Sequence, residues 1–458
     1  MSPRPLGHSP RLPGSSAWPY AGRMLSRIGT RLTLTVLLAA STLADTRNWP
    51  EFCGPDGSGR SESKRLPLTW NETNGVVWKT PLHGRAWSSP VVWKDQVWVT
   101  TATEDGRELS AIAVDRNSGR ILHDHLLFRV EKPQFAHKFN TYASPTPAIE
   151  SGRVYVTFGS PGTACLDTRT GKTLWERTDF VCNHFRGAGS SPILDADRLY
   201  LNFDGSDHQY LVALDKKTGR TLWETRRGID YKDLGPDGKP DSDGDWRKAY
   251  GTCRLTRLDG VPQLLSQGAK AMYGYDPSTG RELWRIEERT SHSAGTRPAV
   301  GFGMAFIPTG WSQGQILAIR PGKAGGVIDA NAEIPADSPV QIVWRSKRGV
   351  PKKPSLLLVD DLLFAIDDNG VATCWEAQTG KMVWNERVGG NYSASPVAGP
   401  GRIYVCSEEG KVTVLGASRT FQKLAENQLG DGFMASPALS GNSLILRSKS
   451  ALYRIGKD

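Results

Sequence analysis

Short apolar runs, separated by turns rich in Gly, Asp and Pro, follow one another along the chain from about residue 76. Runs this short, rich in Val, Ile, Leu and aromatic residues, predict β-strands rather than helices. A Pro precedes several of them by about seven residues, which indicates a repeated unit. The pairs are Pro90 with 97–99, Pro147 with 154–156, Pro192 with 199–201, Pro396 with 403–405 and Pro437 with 444–446.

A second signature marks a tight turn inside the unit. It consists of an acidic residue, two variable residues, Ser or Thr, and Gly. The carboxylate can accept hydrogen bonds from N–H groups of the turn, and Gly adopts a positive φ without steric cost. Copies lie at 115–119, 167–171, 215–219, 276–280 and 376–380.

A Trp follows most of these turns, four residues after the Gly, and His123 takes this place in the first copy. A small residue stands two positions before each acid. Small side chains let sheets pack closely, and a large indole can cover the seam between them. We therefore assign a structural docking role to Trp78, Trp175, Trp223, Trp284, Trp344 and Trp384.

One unit thus reads as a four-stranded antiparallel blade whose last strand carries the Trp. Units begin near residues 88, 144, 190, 250, 297, 353, 394 and 435, which gives eight. The last unit has only three strands, whereas the Trp78 strand has no blade of its own. We predict an all-β, eight-bladed β-propeller over 76–458, closed by the N-terminal strand because closure removes an open sheet edge.

The first 44 residues differ from the rest in charge. They contain five Arg and no acid, so the remaining 52 Lys and Arg exceed the 47 Asp and Glu by only five. This mild balance argues against a nucleic-acid partner. The apolar stretch 32–44, after Arg27 and Arg31, is typical of a secretory signal and too short to span a membrane. We expect an extension at 1–23, a cleaved signal at 24–44, a lead-in at 45–75, no transmembrane span in the mature chain, and export to the periplasm or another extracytoplasmic location.

The stretch 213–223, with Asp215, Thr218, Gly219 and Trp223, resembles the tryptophan-docking repeat of quinoprotein-alcohol-dehydrogenase-like propellers, the pyrroloquinoline quinone (PQQ) repeat superfamily. The resemblance covers about 49–455. The opening 48–57 also resembles exported bacterial PQQ-like proteins of unassigned function. The superfamily includes dehydrogenases and a non-catalytic outer-membrane assembly scaffold, so the resemblance implies the fold without deciding between these activities.

Two cysteine features of catalytic quinoproteins, the vicinal Cys pair and the CxxCH spacing of a covalent haem, are missing here. The resemblance implies a vicinal Cys pair against the quinone, but the six Cys are all separate and none has a CxxC spacing. Cys165 and Cys374 occupy the small-residue position, which predicts packing roles. Disulfides are compatible with export, but the sequence does not choose among the pairings. No His is followed by Glu, which excludes an HExxH zinc site, and no Walker loop occurs.

The loop 230–249 is acidic. Asp241, Asp243 and Asp245 alternate as at the start of a calcium loop, where oxygen ligands converge on the cation. Trp246 and Thr252 stand where an EF-hand loop needs Gly and Glu. These three Asp are therefore a weak candidate metal site. The alternative is that they belong to a solvated loop without a metal ion.

The links that precede the first strand of each unit carry basic and aromatic residues. In a propeller such links gather on one face, so we predict a funnel for an anionic or sugar-like ligand or an acidic peptide. The alternative is a set of solvated links. The candidate ligand-binding residues are His137, Lys138, His184, Arg186, Trp246, Arg247, His292, Arg297, Lys353 and Tyr392, and the same links include Lys248, Lys352 and Asn391.

These features favour an exported, non-catalytic binding or scaffolding propeller without a cofactor. Its expected partner is an envelope protein or an anionic or glycan ligand. The first alternative is a PQQ-dependent dehydrogenase with calcium and an Asp base. The second is a carbohydrate-binding propeller.

Overall fold

The computed structural model describes residues 46–321, 325–338 and 340–457. Regular structure in these ranges is almost entirely β-strand, with two short 3-10 segments at Pro55–Gly57 and Asp241–Arg247. In this part of the chain, no helix is both long and apolar enough to cross a membrane. The predicted extension 1–23 and signal 24–44 lie outside the described residues.

The strands form eight antiparallel sheets, called blades 1 to 8, and confirm the predicted all-β propeller. Blade 1 contains Val91–Trp93, Gln96–Ala102, Glu108–Asp115 and Ile121–Arg129; blade 2 contains Ala148–Glu150, Arg153–Thr157, Thr163–Asp167 and Thr173–Arg177. Blade 3 contains Ile193–Leu194, Arg198–Asp204, Gln209–Asp215 and Thr221–Arg226; blade 4 contains Arg254–Leu258, Val261–Gln267, Ala271–Tyr275 and Glu282–Glu287, with Gly326–Asp329 added at its edge.

The remaining blades follow the same order. Blade 5 contains Ala299–Gly301, Met304–Pro308, Ile316–Pro321 and Val340–Ser346; blade 6 contains Leu357–Val359, Leu362–Ile366, Val371–Glu376 and Met382–Arg387. Blade 7 contains Val397–Gly399, Arg402–Cys406, Lys411–Gly416 and Lys423–Gln428; blade 8 contains Ala438–Ser440, Ser443–Arg447, Ala451–Ile455 and the N-terminal strand Val76–Pro81. A small ribbon pairs Ser291–His292 with Trp311–Ser312. First strands of neighbouring blades contact one another, and they surround the axis.

The N-terminal strand closes the ring, as predicted. Val76–Pro81 pairs antiparallel with Ala451–Ile455, and Trp78 lies opposite Arg454. The Trp78 indole N–H donates to the carbonyl of Arg116 in blade 1 at 2.8 Å. Blade 8 therefore contains strands from both ends of the described chain and has no unpaired seam.

The acidic turns adopt the geometry that their sequence predicts. In the blade 2 turn, Asp167 Oδ1 accepts from the Thr170 N–H and hydroxyl at 2.7 and 2.8 Å. These hydrogen bonds lower the pKa of Asp167. Gly171, at φ 71°, donates its N–H to the Asp167 carbonyl at 2.8 Å. Each such turn is thus held locally and offers a flat, Cβ-free surface to the neighbouring blade.

The predicted Trp residues join successive blades in a regular way. Trp175 in blade 2 donates its indole N–H to the Lys216 carbonyl in blade 3 at 3.0 Å, and a Cβ on Gly219 would lie 2.7 Å from that indole. The small residue Cys165 lies directly opposite Trp175 within its own blade, followed by a β-bulge. The small position therefore makes room for the blade's own indole, which then reaches the next blade. Equivalent indole bonds run from Trp223 to Pro277, from Trp344 to Ala377 and from Trp384 to Ser418.

Trp284 departs from this pattern. Its indole N–H donates to Gln263 within blade 4 at 2.7 Å, and the side chain is buried. The insertion between the last two strands of blade 5 supplies the strand Gly326–Asp329, which pairs parallel with Glu282–Glu287. This added strand covers the edge of blade 4, and its Ile328 joins Trp284 and Leu317 of blade 5 in one buried apolar cluster.

Candidate functional site

A cavity of about 500 Å³ opens at one end of the propeller axis. Its wall comes from the links that precede the first strands, which is where the sequence predicted a funnel. Four of the ten candidate ligand-binding residues line it: His137, Arg186, His292 and Lys353. The cavity is therefore assembled from links to blades 2, 3, 5 and 6, together with residues that the candidate set omitted.

Cations outnumber carboxylates in this wall. Lys248 and Lys352 line the cavity beside Arg186 and Lys353, and Asp245 is the one carboxylate among the lining residues. Arg186 donates to Asp245 Oδ2 at 3.1 Å, and the Lys248 ammonium contacts the same side chain. Lys353 is also paired with Glu408 at 2.9 Å and with Asp368 at 3.7 Å. Four basic side chains are thus set against three carboxylates, and this surplus of positive charge favours an anionic guest.

Burial and mutual repulsion change the pKa values of these groups. Burial and the nearby Arg186 lower the pKa of Lys248 to about 7, while its contact with Asp245 acts in the opposite direction. Burial, with Lys248 as the next cause, lowers the pKa of His292 to about 4. Burial and Arg186 also lower the pKa of His137. Both imidazoles are consequently neutral at neutral pH, and the positive charge belongs to Arg and Lys.

Aromatic side chains complete the wall and its rim. Lys352 Nζ lies 4.6 Å from the ring centroid of Trp311, and Lys353 Nζ lies 5.7 Å from that of Phe139. Phe139 is 53% exposed and Trp311 is 37% exposed, so both offer apolar surface to a bound group. The other aromatic lining residues are Phe52, Trp87 and Tyr250.

A ring of hydroxyls surrounds the cavity at the point where the first strands begin. The N–H of Ser89 donates to Thr146 Oγ1 at 2.9 Å, and the N–H of Thr146 donates to Ser191 Oγ at 2.9 Å. The same bond recurs from Ser191 to Thr252, Arg297 to Ser355, Ser355 to Ser395, Ser395 to Ser436 and Ser436 to Ser89. Arg297 occupies the eighth position, where no hydroxyl is available. These seven bonds tie neighbouring blades near the axis at every junction except the one between blades 4 and 5.

This ring is absent from the candidate residues, although the chain carries a signal for it. Ser89, Thr146, Ser191, Ser395 and Ser436 each stand directly before a Pro that marks a first strand. That pattern predicted only the number of blades.

The lead-in closes the other end of the cavity. Trp49 exchanges two backbone hydrogen bonds with Val92 of blade 1, and Gly59 accepts one from Ala398 of blade 7. Both contacts lie three residues beyond the hydroxyl ring on their strands. Phe52 lies between them in the chain and lines the cavity. The lead-in therefore crosses the axis and forms the floor, which makes the cavity blind.

Arg297 belongs to this floor and not to the predicted funnel. Its guanidinium donates to the Phe52 carbonyl and, at 2.8 Å, to Glu51 Oε1, and its side chain is 2% exposed. A Cβ on Gly57 would lie 2.2 Å from Arg297 Cζ, so this close approach requires glycine. Through these contacts Arg297 anchors the lead-in, and its charge is already paired with Glu51.

Five other candidates lie outside the lining. His184 is buried, accepts a hydrogen bond from the Ser160 N–H at 3.0 Å, and has a pKa lowered to about 4 by burial. Arg247 is paired with Asp233 at 2.5 Å. Trp246 packs edge-on against His292, Lys138 lies over the Phe139 ring, and Tyr392 is fully buried. Burial keeps His184 and Tyr392 out of the cavity wall, and an ion pair holds Arg247, which sequence position alone does not reveal.

The weak metal candidate does not form a coordination site. In the described ranges, no three His, Cys, Asp or Glu side chains are grouped to hold a metal ion. Asp245 is paired with Arg186 and Lys248 instead of converging with Asp241 and Asp243. Ser242 and Asp243 adopt positive φ values of 51° and 54°, so the segment 241–247 is an irregular turn.

All six Cys are buried as free thiols. Burial raises the pKa of Cys165 and Cys374 to about 12, which suppresses the nucleophilic thiolate. Both residues are fully buried in the small position opposite a Trp, in agreement with the predicted packing role.

Comparisons with known proteins agree with this architecture. A family model described as "Outer membrane protein assembly factor BamB" matches residues 61–178, 113–245 and 337–451. No curated protein matches the sequence. The computationally designed Ika8 protein is 13% identical, with a TM-score of 0.58 over 84% of this chain and 100% of its own.

Natural propellers show the same likeness. BamB from Moraxella catarrhalis is 13% identical, with a TM-score of 0.54 over 83% of this chain and 99% of its own. The quinohemoprotein alcohol dehydrogenase from Comamonas testosteroni is 14% identical, with a TM-score of 0.61 over 91% of this chain and 82% of its own. At these identities the structural likeness shows the fold alone. The family model covers more than half of the sequence, and the chain therefore belongs to the PQQ-like repeat propeller family that this model describes as outer membrane protein assembly factor BamB.

Proposed function

We propose that this protein is an exported, non-catalytic binding module of the bacterial envelope, which holds an anionic group of a partner protein in its axial cavity. The observation that carries the proposal is the blind cavity of about 500 Å³ lined by four basic side chains. Arg186, Lys248, Lys352 and Lys353 outnumber the carboxylates that pair with them, which are Asp245, Glu408 and Asp368. A volume of this size is within the range of ligand pockets. The rigid ring presents these side chains with little ordering cost on binding.

The membership in a BamB-described family supports a scaffolding role and an envelope location. Export itself is tested by N-terminal sequencing of the mature protein from a periplasmic fraction. We expect the mature chain to begin near Asp45. A mature product that retains residue 24 would contradict export through the predicted signal.

The dehydrogenase alternative is favoured by the fold of the Comamonas testosteroni enzyme, and its requirements can be compared with the cavity. The cations of the wall would accept the carboxylates of PQQ. However, the described residues include no group placed to hold the metal ion, and Asp245 is engaged by Arg186 and Lys248. The cavity therefore supplies neither the cation ligands nor the free base that this activity needs. Alcohol-dependent dye reduction after addition of PQQ and Ca²⁺ would overturn the non-catalytic proposal.

Binding is tested with a pentaglutamate peptide that is acetylated and amidated at its ends, so that its negative charges are all on side chains. Calorimetric titration at low salt should show binding to the mature chain and none with the pentaglutamine peptide blocked in the same way. Lys352→Gln and Arg186→Gln should each weaken binding by about 3- to 30-fold, the effect of losing one partly buried ion pair.

Lys217→Gln is the matched control, because Lys217 is an exposed residue of the blade 3 turn far from the cavity lining. It should leave the affinity unchanged. Equal losses in all three variants would indicate non-specific charge attraction, and absence of binding to the unmodified chain would contradict the proposed function.

A further inference from the structure

The hydroxyl ring presents buried hydrogen-bond donors to the cavity. Ser89, Thr146, Ser191, Thr252 and Ser436 all line the cavity and are between 2% and 5% exposed. Each hydroxyl oxygen accepts a backbone N–H of the neighbouring blade, at 2.8 to 3.0 Å. Because the hydroxyl oxygen is only an acceptor in this bond, its O–H proton is still available for a second bond. No described residue accepts a hydrogen bond from these five hydroxyls.

Five convergent O–H donors favour a guest that brings oxygen acceptors to the floor. A hydroxyl can donate to a carboxylate oxygen in a charge-assisted bond, which is stronger than a bond to a neutral group. Ser395 is different because its hydroxyl also lies beside the Cys53 thiol. The donors are fixed in position, since each oxygen is already held by the next blade.

The closed floor determines how a polypeptide can enter. The lead-in crosses the axis at Phe52, and Arg297 fastens it through Glu51. A continuous peptide consequently has no passage through the ring. A chain end can enter, with its tip against the hydroxyls, its negative charge beside Arg186, and the preceding side chains against Phe139 and Trp311 at the rim.

We propose that the floor of the cavity binds the C-terminal carboxylate of a partner polypeptide, inserted end first. This inference rests on the proposed function and makes it more specific. The hydroxyl ring recognises the terminal carboxylate, the basic wall supplies long-range attraction, and the aromatic rim contacts the last side chains of the partner.

The test compares acetyl-Glu-Gly-Phe with a free terminal carboxylate and the same peptide as its carboxamide. Calorimetric titration of the mature chain should show the free acid binding at least about tenfold more tightly than the carboxamide, as expected for hydrogen bonds to a charged group. Ser191→Ala and Ser436→Ala should weaken binding of the free acid by about tenfold each and leave the carboxamide unaffected.

Ser355→Ala provides the matched control. Ser355 is a member of the ring, but it does not line the cavity. Its substitution removes the same type of inter-blade hydrogen bond without removing a donor from the floor. It should change the unfolding midpoint to the same extent as Ser191→Ala and leave peptide affinity unchanged.

Three results would overturn this inference. They are equal affinity for acid and carboxamide, equal loss of affinity in Ser355→Ala and Ser191→Ala, and acetate binding as tightly as the tripeptide acid. If the tripeptides do not discriminate while the blocked pentaglutamate peptide still binds, the end-first inference fails and the proposed function stands. If neither peptide binds, the proposed function itself fails.

Discussion

At the scale of single residues, one buried ion pair, Arg227 with Asp204, is held by two hydrogen bonds. Arg227 and Asp204 are both at most 1% exposed, and the guanidinium donates to the two carboxylate oxygens at 2.9 and 2.7 Å. Burial raises the pKa of Asp204 despite the opposing charge of Arg227. The guanidinium also lies 4.8 Å from the ring centroid of Tyr273. Such a pair contributes little net stability, but removing one partner leaves the other charge unpaired.

We therefore predict that Asp204→Asn lowers the free energy of unfolding by about 3–5 kcal/mol. Asp179→Asn, which removes a carboxylate paired with Arg177 but 62% exposed, should cost no more than about 1 kcal/mol. Urea denaturation followed by Trp fluorescence measures both. Similar costs for the two variants would show that burial does not determine the strength of the Asp204 interaction.

At the scale of the repeated element, one tight turn and one indole hold neighbouring blades together. The turn at 215–219 presents Gly219 at φ 73° to Trp175 of the preceding blade. Local residue chemistry determines this arrangement, since the acid, the Ser or Thr, the Gly and the Trp are all close in sequence. Because the motif is local, the contact between turn and indole was predictable from the sequence.

Gly219→Ala should destabilise the protein by more than about 1 kcal/mol, because a positive φ and a Cβ contact with Trp175 act together. Gly238→Ala is the control, with φ 74° and no atom within 4 Å of the added Cβ. The loss of stability in Gly238→Ala should be smaller, because it reflects only the placement of Ala at a positive φ. Thermal unfolding monitored by circular dichroism compares the variants, and equal shifts would contradict a packing role for Gly219.

At the scale of the whole molecule, links from several blades and the lead-in combine in one cavity. Lys248, with a pKa of about 7, lies beside Arg186 and Asp245. An anion in the cavity favours the protonated ammonium, so binding takes up a proton near neutral pH. His292, whose pKa is about 4, stays neutral in this range, and burial also lowers the pKa of His137.

Affinity for the blocked pentaglutamate peptide should consequently fall by up to about tenfold as the pH rises from about 6 to about 8, since Lys248 loses its proton and the Glu carboxylates stay ionised. Lys248→Met should bind more weakly and with little dependence on pH in this window. Calorimetry in buffers of different ionisation enthalpy should show proton uptake for the unmodified chain alone. An unchanged pH dependence in Lys248→Met would assign the titration to another group.

The sequence by itself determined the repeat, the number of blades and their closure by the Trp78 strand. These depend on local turn chemistry and on spacings that recur along the chain. The tertiary structure alone decided which link residues face the axis. Arg297 and Tyr392 share the sequence setting of Arg186, yet one anchors the lead-in and the other is buried. The path of the lead-in and the strand Gly326–Asp329 depend on contacts between distant residues, which leave no period in the sequence.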